Sequence, residues 1–188
     1  MESNKIGKGT IISQVPIPIE EYSDLLPHFK IKSYRKNTIL KEIHEIETQR
    51  RYLISGTLAL FERLGKKTKC RRIYSKYTLV FDFESYTQER LTNYCIKAYA
   101  DCLICEIPRE IELRIMESPE SMIKLILRLS QQLVLQNWEW SSILWLPPKE
   151  RYKQLPQICP DFALIKIKDI SGILNLPERT IYRLRRTR

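Results

Sequence analysis

Between Pro119 and the pair Pro147-Pro148 the chain runs without a single Gly or Pro. Met122, Leu125, Ile126, Leu129, Leu133, Trp140 and Ile143 recur there at three- and four-residue steps, the period of one face of an α-helix. The spacing predicts one amphipathic helix over 119–146, about seven turns long, with Ser118 as its N-cap. Gln132 and Gln136 lie near the same stripe. A helix with a continuous apolar seam needs a cover. Its own domain can supply one, or a second copy of the chain can do so as a coiled-coil-like pair. The second option makes 118–146 a dimerisation helix and the protein a homodimer.

Upstream, from about residue 30 to 108, the texture is that of β-structure. Thr38-Ile39-Leu40, Tyr52-Leu53-Ile54, Thr57-Leu58-Ala59-Leu60-Phe61, Arg72-Ile73-Tyr74 and Cys102-Leu103-Ile104-Cys105 are short runs rich in β-branched and aromatic residues. Gly56, Gly65 and polar turns punctuate them. Many short strands with turns between them predict a barrel or roll of the jelly-roll kind. The fold class expected is therefore α+β, in three parts: a β-roll over 1–117, the long helix over 118–146, and a small helical domain over 147–188.

That last part carries the most specific pattern. In the run Ile167-Lys168-Asp169-Ile170-Ser171-Gly172-Ile173-Leu174, residues Ile170, Ile173 and Leu174 form the inner face of a helix, and Ser171 is small where two helices would cross. Asn175 stands where a tight turn needs a left-handed residue. Pro177 suits the first turn of a following helix, because the N–H it lacks would be unpaired there. Ile181 and Leu184 then face inward, leaving Glu178, Arg179, Tyr182, Arg183 and Arg186 outward. This is a helix-turn-helix pattern. Arg can donate two hydrogen bonds to guanine, and Glu can accept one from cytosine. Thr180, Tyr182, Arg185, Arg186 and Arg188 are placed as phosphate contacts.

Charge agrees with a polyanionic partner. The net charge is +10, and residues 149–188 hold ten Lys and Arg against four Asp and Glu. Double-stranded DNA is the partner expected. The bland alternative is a small three-helix domain with a solvated basic face.

The segment 148–186, with Glu150-Arg151-Tyr152, Lys168-Asp169-Ile170 and Arg179-Thr180-Ile181-Tyr182-Arg183-Leu184, resembles the C-terminal part of the Crp/Fnr family of transcription regulators. Lys36-Asn37-Thr38-Ile39-Leu40 and Tyr52-Leu53-Ile54-Ser55-Gly56-Thr57-Leu58 resemble the opening strands of that family's cyclic-nucleotide-binding-like β-roll. The long helix sits where that family dimerises. The resemblance implies base reading by Glu178, Arg179 and Arg183, with RNA polymerase as a candidate further partner. The sequence departs at Arg179, where many members carry Glu, and at Tyr182, where they carry a small residue. Wing strands that follow the reader in relatives would be missing.

Family members that bind cyclic nucleotides hold the phosphate with a Gly-Glu pair and a following Arg-Ser or Arg-Thr. The matching stretch here, 81–94, contains no Gly. Glu84-Ser85 and Arg90 read as remnants, while Asp82 and Glu89 oppose a phosphate cradle. No cofactor is expected, a cyclic nucleotide included, and another small ligand is left open. Cysteines 70, 95, 102, 105 and 159 are odd in number and lack a regular frame, so buried free thiols are expected rather than a disulfide, cluster or metal site. Cys102 and Cys105, three apart in a strand, would point to opposite faces. The segment 63–76 holds seven basic residues and no acid. It reads as a solvated hairpin or, more sharply, as a second contact to DNA or polymerase.

There is no phosphate-loop signature, no G-x-S-x-G and no His-Glu-x-x-His, so no enzyme is expected. No run of about 18 apolar residues appears, and the N-terminus lacks a signal-peptide pattern. A cytoplasmic, non-membrane protein follows as an expectation. Three function classes remain: a homodimeric, sequence-specific regulator; a ligand-binding or protein-interaction module; and a non-specific nucleic-acid binder acting by charge alone.

Overall fold

The computed structural model describes residues 29–116 and 120–186. Eight strands come first: β1 (Lys30–Tyr34), β2 (Ile39–Lys41), β3 (Gln49–Ser55), β4 (Leu58–Leu64), β5 (Lys67–Tyr74), β6 (Thr78–Val80), β7 (Tyr94–Ala98) and β8 (Cys102–Pro108). They form two antiparallel four-stranded sheets, ordered β1-β8-β3-β6 and β2-β7-β4-β5. A short helix, α1 (Phe83–Gln88), interrupts the series between β6 and β7. The five strand-like runs of the sequence all fall on these strands. The apolar side chains Leu53, Leu58, Val80, Ile96 and Ile104 meet between the sheets and are fully buried. This is the β-roll expected, and the helices that follow make the fold α+β.

Glycine is required at the β3–β4 turn. Gly56 has φ +88°, and a Cβ there would lie 2.1 Å from the Asp101 carbonyl oxygen.

Helix α2 (Arg109–Met116) leads to the long helix α3 (Glu120–Leu144). Ser118, the expected N-cap, lies outside the described residues, as do 1–28 and Arg188. The side chains of Met122, Leu125, Ile126 and Leu129 are outside them too. The remainder of the predicted stripe turns toward its own chain. Leu133 packs on Leu79, Phe81 and Tyr86, Gln136 and Ile143 are buried, and Trp140 packs on the C-terminal core. A second apolar series, Leu127, Val134, Trp138 and Trp145, is exposed by 57%, 66%, 68% and 87%. Its spacing of seven, four and seven residues is that of a coiled-coil seam. Where its side chains are described, the stripe read from the sequence is covered by its own chain, and the exposed apolar series lies on a different face.

Three helices and one 3-10 segment (Pro160–Leu164) complete the chain: α4 (Pro148–Ile158), α5 (Ile167–Leu174) and α6 (Glu178–Arg186). They do not form a core of their own. One cluster joins Ala59, Cys70 and Ile73 of the β-roll to Ile143 of α3 and to Leu155, Ile170, Ile173, Leu174 and Ile181. Helix α5 lies directly on β5. Gly172 makes this approach possible, since a Cβ there would sit 2.6 Å from the Cys70 carbonyl oxygen and 3.1 Å from its nitrogen. At an open helical site Gly→Ala stabilises by about 1 kcal/mol through backbone entropy. Here the obstruction is backbone and must move, so Gly172→Ala is expected to lower stability by about 1–3 kcal/mol. Urea unfolding of the full chain measures this, and a stabilised variant would refute the close docking.

Candidate nucleic-acid interface

The helix-turn-helix is built from α5, a turn and α6. Asn175 takes the left-handed conformation expected of it, with φ 53° and ψ 46°. The Leu176 N–H donates to the Ser171 carbonyl at 3.1 Å and the Asn175 N–H to that of Gly172 at 3.4 Å, so the helix ends in a Schellman motif. Ser171 lies part-buried in α5. Its hydroxyl donates to the Leu176 carbonyl at 2.6 Å, while neighbouring Gly172 makes the tight approach, to β5 rather than to α6. Arg151 secures the turn from outside, donating to the carbonyls of Leu146 at 2.6 Å and Leu174 at 3.1 Å, both at helix ends.

After Pro177, the N–H groups of Thr180 and Ile181 both donate to its carbonyl, at 2.8 and 3.3 Å. Ile181 is fully buried and Leu184 packs against the same cluster, so this edge sets the rotation of α6. Glu178, Arg179, Tyr182, Arg183, Arg185 and Arg186 are then exposed, and Thr180 is half-buried. Helix α6 carries Glu178 in its first turn and Arg183, Arg185 and Arg186 in its last, where charges of these signs match the helix dipole. The surface is cationic, accessible and held on a rigid edge. It can donate paired hydrogen bonds from Arg179 and Arg183 and accept at Glu178.

Polar contacts hold this unit against the β-roll. Tyr99 is the centre of one set: its hydroxyl donates to Asp169 at 2.7 Å and accepts from the Lys166 N–H at 2.9 Å. Burial raises the Tyr99 phenol above its ordinary range, so it remains the donor to Asp169. Thr57 donates to Asp161 at 3.0 Å, and Lys69 Nζ donates to Asn175 Oδ1 at 2.8 Å. Arg72 donates to Asn137 of α3 and lies over the rings of Tyr74 and Trp140, 4.8 and 5.5 Å from their centres. The basic segment 63–76 is thus only partly a solvated hairpin: Lys69 and Arg72 bind the reader and the long helix. No signal in the sequence marked Tyr99 or Gly172, because their roles depend on contacts between distant segments; Lys69 was marked only as part of the basic segment, not as a partner of Asn175.

The stretch 81–94 has its own internal chemistry. Asp82 caps α1 by accepting from the Ser85 N–H at 3.2 Å. Lys41 Nζ sits 2.8 Å from Asp82 Oδ2, and both side chains are 2% exposed. The same ammonium donates to Thr92 Oγ1 at 2.8 Å and to the Tyr94 carbonyl at 3.0 Å, so all three of its protons are used. Beside it Arg51 pairs with Glu47 at 2.8 Å, and the Asp82 N–H donates to the same Glu47 oxygen at 3.3 Å. Breaking one partner of such a buried pair typically costs about 3–5 kcal/mol. Glu84 and Arg90, the residues that read as remnants of a nucleotide site, form an exposed ion pair with each other.

All five cysteines are free thiols. Burial raises Cys70, pushes Cys159 up to about 12 and Cys105 up to about 11, so none of these is a thiolate near neutral pH. Cys102 belongs to the inner core between the sheets, and Cys105, three residues on, is paired with Ile31 and Tyr52 across the strands. Among the described residues no group of three or more His, Cys, Asp or Glu could hold a metal ion. No described helix is long and apolar enough to cross a membrane.

No family model matches the sequence, and no curated protein matches it. Solved structures do match, at the level of fold. The c-di-GMP-responsive global regulator CLP of Xanthomonas campestris superposes with a TM-score of 0.65 at 12% identity, covering 90% of this chain and 91% of that one. FixK2 of Bradyrhizobium japonicum gives 0.67 at 12% identity, covering 85% and 83%. A protein of Eubacterium rectale assigned to the crp/fnr family of transcriptional regulators gives 0.62 at 16% identity, covering 91% and 83%. The chain has the Crp/Fnr regulator fold, with its cyclic-nucleotide-binding-like β-roll, over nearly its whole length.

Proposed function

We propose that this chain is a homodimeric, sequence-specific DNA-binding transcription regulator of the Crp/Fnr type, without enzymatic activity. The exposed face of α6 carries the reading. It presents Glu178, Arg179, Tyr182, Arg183 and Arg186 outward on a helix whose other edge is anchored by Ile181. That helix follows a left-handed Asn175 turn, the arrangement by which a helix-turn-helix inserts its second helix in the major groove. Glu178, Arg179 and Arg183 read bases in this proposal. Thr180, Tyr182, Arg185 and Arg186 contact phosphates and sugars. Likeness of fold to known regulators supports the assignment.

The second copy covers the outer face of α3. Leu127, Val134, Trp138 and Trp145 offer an exposed heptad seam on the side turned away from the chain's own core. Two readers would then address half-sites about 34 Å apart on one face of the duplex.

The β-roll takes no cyclic nucleotide in this reading. The segment that would cradle the phosphate has no Gly, and its neighbourhood is filled by the Lys41–Asp82 and Arg51–Glu47 pairs. A phosphate would have to compete with the carboxylates of Asp82 and Glu47 for those cations.

Selection of bound sequences from a random duplex pool is expected to return a two-fold-symmetric motif. Arg179→Ala should lose information at one base pair per half-site, worth about 1–3 kcal/mol. A folded, dimeric protein that enriches no motif would sink the regulator reading. Sedimentation at micromolar concentration should show a dimer for the wild type and a monomer for Trp138→Glu; a monomeric wild type removes the α3 interface. Cyclic AMP and cyclic GMP at millimolar concentration should leave the melting temperature unchanged, and a saturable rise would overturn the filled-site argument.

A further inference from the structure

At the N-terminal end of α5 the β-roll and the reader enclose a recess of about 250 Å³. Lys36 and Lys97 line it from the β-roll, and Lys166 and Lys168 from the reader. Asp169 is the one acid among its lining residues, and its carboxylate accepts from Tyr99. None of the four ammonium groups forms an ion pair with a described residue. Next to it, sharing Phe61 and Lys97, a second recess of about 430 Å³ adds Arg63 and Lys66, against Glu42 alone. At the other end of α5, Lys69 reaches the Asn175 turn that opens α6. Cations of the β-roll therefore flank the first reader helix at both ends.

Lysines that line one recess without an ion-pair partner repel one another and raise the local potential, which favours an anion there. The location and shape say which anion. In a helix-turn-helix the first helix crosses the nucleic-acid backbone, and α5 begins at Lys166 and Lys168. The cationic lining continues from there into the second recess through the shared Lys97, which offers cations to more than one phosphate. The docking of Gly172 on Cys70 holds the two sets of lysines side by side.

We propose that the β-roll is itself part of the DNA interface: Lys36 and Lys97 join Lys166 and Lys168 to bind backbone phosphates beside the half-site read by α6. This rests on the DNA-binding reading above and adds a role for the domain that the fold presents as a sensor. Such contacts carry no base information and strengthen binding in a salt-dependent way.

The test is the salt dependence of binding by the full chain to its selected duplex. Each phosphate neutralised contributes about 0.9 to the slope of log K against log salt. The double variant Lys36→Gln/Lys97→Gln is expected to lower that slope by about 1.8 and to return the same selected motif. Lys30→Gln/Lys76→Gln removes equal charge at exposed positions that line neither recess, and should leave the slope nearly unchanged. An unaltered slope in the first variant overturns the proposal, as does an equal fall in both, which would mean a diffuse effect of net charge. A wild type that binds no duplex fails the DNA reading as a whole. A wild type with a motif and a steep slope, insensitive to Lys36 and Lys97, fails this inference alone.

Discussion

The seating of α5 on β5 is the contact on which the rest of the molecule depends. A helix can approach a strand this closely only where it lacks a side chain, and Gly172 supplies that point above the Cys70 peptide. The consequence is a single apolar cluster shared by β4, β5, α3 and the C-terminal helices. Helices as short as α5 and α6, eight and nine residues long, cannot bury enough surface against each other to be stable alone. Their apolar edges are completed by Ala59, Cys70 and Ile73 from the β-roll. The orientation of α6 is thereby set by the β-roll as much as by the turn at Asn175.

The buried charges above α1 answer a different constraint. A β-roll of this fold leaves polar backbone around the segment 81–94. Lys41 meets it by donating to a carboxylate, a hydroxyl and a carbonyl at once. Arg51 does similar work on the adjoining side, donating to Glu47 and to the Leu40 carbonyl at 3.0 Å. These cations cost desolvation energy, and the local hydrogen bonds offset it only while every partner stays in place. An incoming anion would have to compete with Asp82 for Lys41 and with Glu47 for Arg51.

Much of this was legible in the residues, and the parts that were not share a cause. Strand runs such as Tyr52-Leu53-Ile54 and Cys102-Leu103-Ile104-Cys105 announce themselves by local composition, and the Asn175-Leu176-Pro177 turn by local backbone preference. The long helix was equally plain. Its two seams were not separable, because periodicity marks an apolar face without saying what covers it; Leu133 and Ile143 serve the chain's own cores while Val134 and Trp138 stay exposed. Short elements escaped notice, α1 above all, whose cap is Asp82 but whose apolar content is brief. Lys41 gave no hint of burial, since a lysine beside Glu42 in a short strand looks like solvated surface. Its partners Asp82 and Thr92 lie 41 and 51 residues away. Gly172 carries no such local mark, because a helix-turn-helix pattern points to the crossing of its own two helices. The tighter crossing is with a strand a hundred residues earlier.

The two faces of α3 also connect what otherwise look like separate properties. Its inner face, through Ile143 and Trp140, belongs to the cluster that orients α5 and α6. Its outer face, through Val134 and Trp138, is the surface on which a second copy would sit in the proposed dimer. Pro147 and Pro148 end the helix at once, and Arg151 ties that end to the α5 terminus by donating to Leu146 and Leu174. No free linker therefore intervenes between α3 and the helix-turn-helix. In a dimer built on this seam, the separation and tilt of the two α6 helices would follow from helix packing alone. A change in how the two α3 helices cross would be carried to the DNA-facing residues as a rigid rotation, with the β-roll moving along with the reader.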